Sequence, residues 1–75
     1  MIDENIRESL NRYIKHRIHV GGFLTAVLEN NLMEAMGRAD SVNRANLHEI
    51  CKYIYNNLPR ESWGSREKVQ NYLNR

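Results

Sequence analysis

The sequence predicts an all-α protein, a small bundle of about four helices. Apolar residues recur at three- and four-residue intervals along most of the 75 residues, which is the period of an amphipathic helix. No segment alternates apolar and polar residues as a half-buried strand would, and the chain has no internal repeat or low-complexity tract. A chain of this length is expected to form one domain, residues 1–75.

The first predicted helix runs from about Asp3 to Lys15, with Asp3 as its N-cap. Its apolar stripe consists of Ile6, Leu10, Tyr13 and Ile14. We expect the helix to stop within the stretch HRIHVGG, where Gly21-Gly22 gives the backbone the freedom to turn.

The second predicted helix runs from about Gly22 to Ala39 and is the most apolar. Its buried face is expected to contain Leu24, Val27, Leu28, Leu32 and Ala35. Asn31 falls in the middle of this face, where a polar side chain needs a hydrogen-bond partner. We favour a partner across a subunit interface, with contact to a ligand or a hydrogen-bonded core Asn as the alternatives.

The third predicted helix follows a break near Asp40–Asn46, because the apolar stripe changes phase there. Candidate caps are Asp40, Ser41, Asn43 and Asn46, the last with Glu49 as a capping box. The buried stripe of this helix is predicted to be Leu47, Ile50, Cys51, Ile54 and Leu58. It is expected to end at Asn57-Leu58, since Pro59 disfavours helical geometry in the residue before it.

The fourth predicted helix begins after Ser65, which can cap it, and its short apolar edge is Val69, Tyr72 and Leu73. Trp63 stands just ahead of it, in a charged loop. We expect the indole ring to cover Val69 or Leu73 and so close the core. The alternative is that Trp63 is exposed for stacking or anchoring a partner.

Composition narrows the possible classes of protein. Cys51 is the only cysteine, so no intrachain disulfide can form and a reducing compartment, the cytoplasm, is expected. The N-terminal segment is acidic and periodic, which indicates neither a signal peptide nor a membrane anchor. A domain this small is marginally stable alone, so we expect a homo-oligomer. The net charge of +2 suits an anionic ligand or an acidic partner.

No motif specifies a catalytic chemistry, so an enzyme is not expected and no cofactor is predicted. His16 with His19, and His48 with Cys51, have the spacing of zinc ligands, but Cys51 falls on an apolar stripe and basic residues flank the first pair. The last two helices could form a DNA-binding helix-turn-helix that exposes Arg66. Their long joining loop and nearby glutamates make nucleic acid an unfavoured partner.

The run GGFLTAVLENNLMEAMGRADSVNRANLHEICKYIYNNLPRESWGSREKV resembles a widespread, largely uncharacterised family of short helical phage and prophage proteins. The resemblance covers roughly Tyr13 to Leu73. In the family pattern an Asp is usual at Asn31 and a Trp is common at Tyr72, so no charge-dependent role is expected for Asn31. The resemblance implies an accessory protein of a phage or mobile element, acting in the host cytoplasm.

Counter-defence by binding is the class of function that this resemblance suggests. The most specific hypothesis is an oligomer that sequesters a nucleotide immune signal. An adaptor or inhibitor that binds a host protein is the alternative, and a small DNA-binding regulator is the third. The candidate ligand-binding residues are Lys15, Arg17, Asn31, Arg38, Asn43, Tyr53, Tyr55, Trp63, Ser65 and Arg66. Of these, Lys15, Arg17, Arg38 or Arg66 would meet phosphates, and Tyr53, Tyr55 or Trp63 would stack on bases.

Overall fold

The computed structural model describes residues 2–75 and confirms the all-α class. No strand occurs within this range. The helices are α1 (Glu4–His16), α2 (Gly22–Leu28), α3 (Leu32–Arg38), α4 (Ser41–Ala45), α5 (Leu47–Asn57) and α6 (Arg66–Leu73), with a 3-10 turn at Arg60–Ser62. The prediction of about four helices is therefore wrong. The predicted second helix is divided in two, and the predicted break before the third helix is itself helical.

Helix α1 begins as predicted but ends for a different reason. The Asp3 carboxylate caps it by accepting the N–H of Asn5 at 2.7 Å. The helix stops at Arg17, which adopts the left-handed conformation at φ 54° and ψ 39°, and not at the two glycines. The Arg17 guanidinium donates to the carbonyl of Ile14 at 2.9 Å and lies 4.3 Å from the centre of the Tyr72 ring. These contacts offset the cost of a left-handed residue that is not glycine.

The predicted second helix breaks at Asn30, which is left-handed at φ 61°. The N–H of Asn30 donates to Val27 O and that of Asn31 to Ala26 O, the bonding pattern of a Schellman C-cap. Asn31 then occupies the N-cap position of α3 and is exposed. The expectation that Asn31 lies within a buried helical face is therefore wrong, and Leu32 beside it is 60% exposed.

Helices α4 and α5 meet at Asn46. Asp40 caps α4 by accepting the N–H of Asn43 at 2.7 Å, whereas Asn46 makes no side-chain cap bond, so the capping box predicted there does not form. Helix α5 ends before Leu58, as Pro59 predicts. Ile50, Ile54 and Leu58 are buried, but Leu47 is half-buried and Cys51 is exposed. The assignment of Cys51 to the core is wrong.

Residues 59–65, between Leu58 and α6, form a compact turn that we call the Trp turn. Gly64 is at φ 117°, a conformation that side chains disfavour, and its N–H donates to the carbonyl of Leu28 at 2.7 Å. Ser65 caps α6 as predicted, accepting the N–H of Lys68 at 3.1 Å. Val69 and Tyr72 of α6 are buried, and Leu73 packs against the core from its edge.

The core joins α1, α2, α5 and α6. Its buried residues are Leu10, Tyr13, Leu24, Leu28, Ile50, Ile54, Leu58, Val69 and Tyr72. Two tyrosines connect this core to the backbone around it. The Tyr13 hydroxyl donates to the carbonyl of Ser62 at 2.8 Å, and the Tyr72 hydroxyl donates to that of Ile14 at 2.8 Å. Their ring centres are 5.2 Å apart.

Replacing Tyr13 by Phe tests the bond to Ser62. Burial raises the pKa of Tyr13 to about 12, from its ordinary value of 10.0. Above pH 10 the unfolded chain therefore loses this proton before the folded chain does, and stability falls as the pH rises towards 12. We expect Tyr13→Phe to lose about 1–2 kcal/mol at pH 7, through the missing hydrogen bond, and to show a weaker decline above pH 10.

Urea unfolding of both proteins at pH 7 and at pH 11 measures this difference. An equal decline of the two proteins with pH would contradict the assignment of that decline to Tyr13.

Candidate functional site

An apolar cleft lies beside Trp63, between the end of α2, helix α5 and the Trp turn, and we call it the Trp cleft. Its lining residues are Val27, Asn30, Cys51, Ile54, Tyr55 and Trp63. Its volume is about 210 Å³. Ligand sites for small molecules usually measure about 300–1,000 Å³. The Trp cleft can therefore hold one ring or one side chain of a larger ligand.

Three segments build the walls of the Trp cleft. Val27 and Asn30 come from the end of α2 and its Schellman turn. Cys51 and Tyr55, four residues apart, form a stripe on α5 next to the buried Ile50–Ile54 stripe. The Trp turn supplies Trp63. The bond from Gly64 N–H to Leu28 O holds this turn against the end of α2.

Trp63 packs towards α5. Its indole N–H lies 3.4 Å from the carbonyl of Leu58, and its ring centre lies 5.7 Å from that of Tyr55, with the planes tilted by 49°. This is the tilted arrangement that aromatic pairs prefer. The ring also packs against the core to which Val69 belongs, and the expected cover of Val69 or Leu73 by the indole stays a prediction. Trp63 is half-buried, while Tyr55 is 62% exposed.

A shallower groove continues the Trp cleft between α3 and α5. It is lined by Val27, Asn30, Asn31, Leu32, Ala35, Leu47 and Cys51, three of which also line the cleft. The two depressions therefore adjoin along α5, and together we call them the furrow. Exposed or half-buried apolar side chains occur along it from Leu32 and Leu47 to Tyr55.

The lining of the Trp cleft is uncharged. A cation lies beside one of the lining residues, because the guanidinium carbon of Arg60 is 5.8 Å from the centre of the Tyr55 ring. Although Cys51 is exposed, the protein atoms around its thiol partly desolvate it and so raise its pKa. The thiol is therefore protonated at neutral pH and a weak nucleophile. This arrangement favours binding of an apolar or aromatic group and offers no paired base to activate a nucleophile.

Of the ten residues predicted for a ligand site, the Trp cleft brings together only Tyr55 and Trp63. Asn31 lies on the adjoining groove, and Tyr53 lies in a separate depression with Ile2 and Lys52. Two other polar residues of the predicted set take part in helix capping. Asn43 lies in α4, where its N–H donates to Asp40, and Ser65 caps α6.

The four predicted phosphate-binding cations are not gathered at the cleft. Lys15 lies on the exposed side of α1, near Arg12. Arg17 is held against Tyr72, and Arg38 is paired with Glu34 at 2.7 Å. Arg66 is exposed at the first position of α6.

Sequence reasoning missed four of the cleft residues, namely Val27, Asn30, Cys51 and Ile54. Three of them were assigned to the buried face of a helix. The Asn30-Asn31 pair is the sequence signal that could have indicated a helix end here, because Asn tolerates the left-handed conformation and ends helices. The break at this point places Asn30 in the wall of the Trp cleft.

No group of three or more His, Cys, Asp or Glu side chains within residues 2–75 is placed to hold a metal ion. The described helices also include none that is long and apolar enough to cross a membrane.

Comparison with protein-family models, curated proteins and solved structures finds no match to this chain. The resemblance to phage and prophage proteins stays a prediction.

Two substitutions of Trp63 test how much its packing contributes to the free energy of unfolding. Trp63→Phe keeps an aromatic ring against Tyr55 and should lower stability by less than about 1.5 kcal/mol. Trp63→Ala opens the cleft to the core and should cost about 2 kcal/mol, below the 3–5 kcal/mol of a fully buried aromatic. Urea unfolding of both variants measures this, and Trp63→Ala with wild-type stability would exclude a packing role.

Proposed function

We propose that this chain is a non-enzymatic binding protein that self-associates and holds one aromatic or apolar group of its target in the Trp cleft. The observation that carries the proposal is the pairing of exposed Tyr55 with half-buried Trp63 across an uncharged cleft. An aromatic ring exposed beside a preformed apolar depression is typical of interface hot spots. The protonated Cys51 thiol and the uncharged lining favour binding over catalysis.

The specific form that we propose is an accessory protein of a phage that acts in counter-defence by sequestering a nucleotide immune signal. The support is chemical: a base that enters the cleft can stack on Tyr55 or Trp63, and each base stacked on an aromatic side chain contributes about 1–3 kcal/mol. Arg60, beside Tyr55, is placed to meet a phosphate. Because the cleft admits about one ring, the second base of a dinucleotide would lie outside it, and a second copy of the chain would supply an equivalent cleft for that base.

A host protein is the second candidate target. The furrow continues from the Trp cleft to Leu47 and Leu32, and apolar side chains line most of it, with Asn30 and Asn31 as its polar members. An elongated apolar furrow fits the apolar side of an amphipathic helix as well as it fits a base. In this case the protein is an adaptor or inhibitor that docks on a host protein through the same surface.

A thermal-shift titration with cyclic and linear dinucleotides tests the nucleotide proposal. We expect a rise in the unfolding temperature, since a ligand at 100 times its Kd stabilises the folded state by about 2.7 kcal/mol. Tyr55→Ala should abolish the rise. Tyr53→Ala is the matched control, because Tyr53 is on the same helix but lines a different depression, and it should retain the rise.

Three outcomes discriminate between the targets. A shift that Tyr53→Ala abolishes and Tyr55→Ala retains would place the ligand outside the Trp cleft. No shift with any dinucleotide, combined with a host protein retained by the wild type and lost by Tyr55→Ala, would select the adaptor. If no dinucleotide shifts the unfolding temperature and no host protein binds in a way that depends on Tyr55, the Trp cleft is refuted as the binding site.

A further inference from the structure

The outer face of α3 is apolar and uncovered. Met33 is 82% exposed, Leu32 60% and Met36 37%, whereas Ala35 on the inner face is 1% exposed. Met33 and Met36 are three residues apart, and Met33 and Gly37 four, so these three positions share the outer face. Exposed apolar side chains that occur singly are ordinary, but contiguous ones mark an interaction surface.

The presence of a glycine at position 37 of this face is not explained by the structure of a single chain. It lies within α3, where glycine is disfavoured relative to alanine, and its φ is not in the left-handed region. A methyl group added at its Cα would meet no heavy atom within 4 Å, apart from its own stretch of helix, among residues 2–75. Neither backbone geometry nor packing within the chain therefore requires a glycine. The remaining physical use of a glycine on a helix is close approach by another backbone.

The charged residues of α3 indicate which partner can pack against its outer face. Glu34 is in its first turn and Arg38 in its last, both on one side of the apolar face and both more than half exposed. A second α3 that lies antiparallel places its Arg38 against Glu34, and its Glu34 against Arg38. A parallel α3 places like charges together. A second copy in the antiparallel orientation is therefore electrostatically complementary to this face.

We infer that α3 is the self-association surface, with two copies related by a twofold axis and their α3 helices antiparallel. Met33 of each copy lies over Gly37 of the other, because a twofold interface pairs each position with its counterpart reciprocally. The Leu32 and Met36 sides of the two helices adjoin, beside the furrow of each copy. The inference rests on the self-association in the proposed function and names its surface.

Analytical ultracentrifugation of neutral polar variants tests the surface. Met33→Gln removes the projecting apolar side chain, and Gly37→Gln fills the position of close approach with a better helix former. We expect each to raise the dimer dissociation constant about tenfold or more, as loss of an interface anchor does. Asn71→Gln, at an exposed position of α6, is the matched control and should leave that constant unchanged. Circular dichroism should show all three variants folded.

Glu34→Arg and Arg38→Glu test the orientation. Each variant alone carries like charges at the two positions, so in an antiparallel dimer each should associate more weakly than the wild type. A mixture of the two should form heterodimers, which restore opposite charges between the chains while leaving the repulsion within each α3. Sedimentation of the variants alone and mixed measures this. Variants that alone dimerise as tightly as the wild type would refute antiparallel pairing.

A wild type that stays monomeric at every concentration would overturn both the inference and the self-association on which it rests. A wild-type dimer that Met33→Gln and Gly37→Gln leave intact would overturn α3 as its surface and leave self-association standing. Dissociation by these variants, with no dinucleotide bound to the wild type, would support the inference while the nucleotide proposal fails.

Discussion

The hydrogen bond from the Tyr13 hydroxyl to the carbonyl of Ser62 joins two positions 49 residues apart inside a domain with a small core. Ser62 is fully buried, and Tyr13 is 1% exposed. A buried carbonyl without a partner would cost about 1–3 kcal/mol, so the Trp turn can enter the interior only where a donor meets it. Tyr13 supplies that donor from α1.

The position of the Trp cleft follows from this constraint. With Ser62 held by α1, the next residues are directed to the end of α2, where Gly64 donates to the carbonyl of Leu28. Trp63 lies between these two bonds and has its ring directed to α5. The main chain is therefore held by hydrogen bonds on both sides of Trp63 in the sequence, one from the Tyr13 side chain and one to the carbonyl of Leu28. This favours a preformed cleft wall over one assembled by the ligand.

The sequence predicts the features of this fold that depend on local chemistry. Asp3 and Ser65 cap helices because a side-chain oxygen placed before a helix accepts a free N–H, and Pro59 ends α5 by steric restriction of Leu58. Arg17 and Asn30 adopt the left-handed conformation together with contacts and hydrogen bonds to other residues, and residue type alone does not predict these interactions. Periodicity predicted a continuous apolar stripe through this region without locating the break.

Cleft residues were harder to predict than core residues for a related reason. Val27 and Cys51 have the spacing of buried positions, but Cys51 is exposed and both residues line the Trp cleft, so the apolar stripe on α5 is wider than the part that the core buries. A stripe wider than the core is visible only once the neighbouring helix has been placed. Trp63 and Tyr55 could be proposed from composition, but their contact depends on the bond between Gly64 and Leu28.

Hydrogen exchange of the Gly64 amide tests most directly the claim that the Trp turn is a fixed wall of the cleft. Exchange of this amide, followed by NMR in the ligand-free protein, should be about as slow as that of the α5 core amides, because opening the turn requires breaking the Tyr13–Ser62 contact and exposing the core. Exchange as fast as in an unstructured peptide, while the α5 amides remain protected, would contradict the account and show that the cleft is not formed before binding.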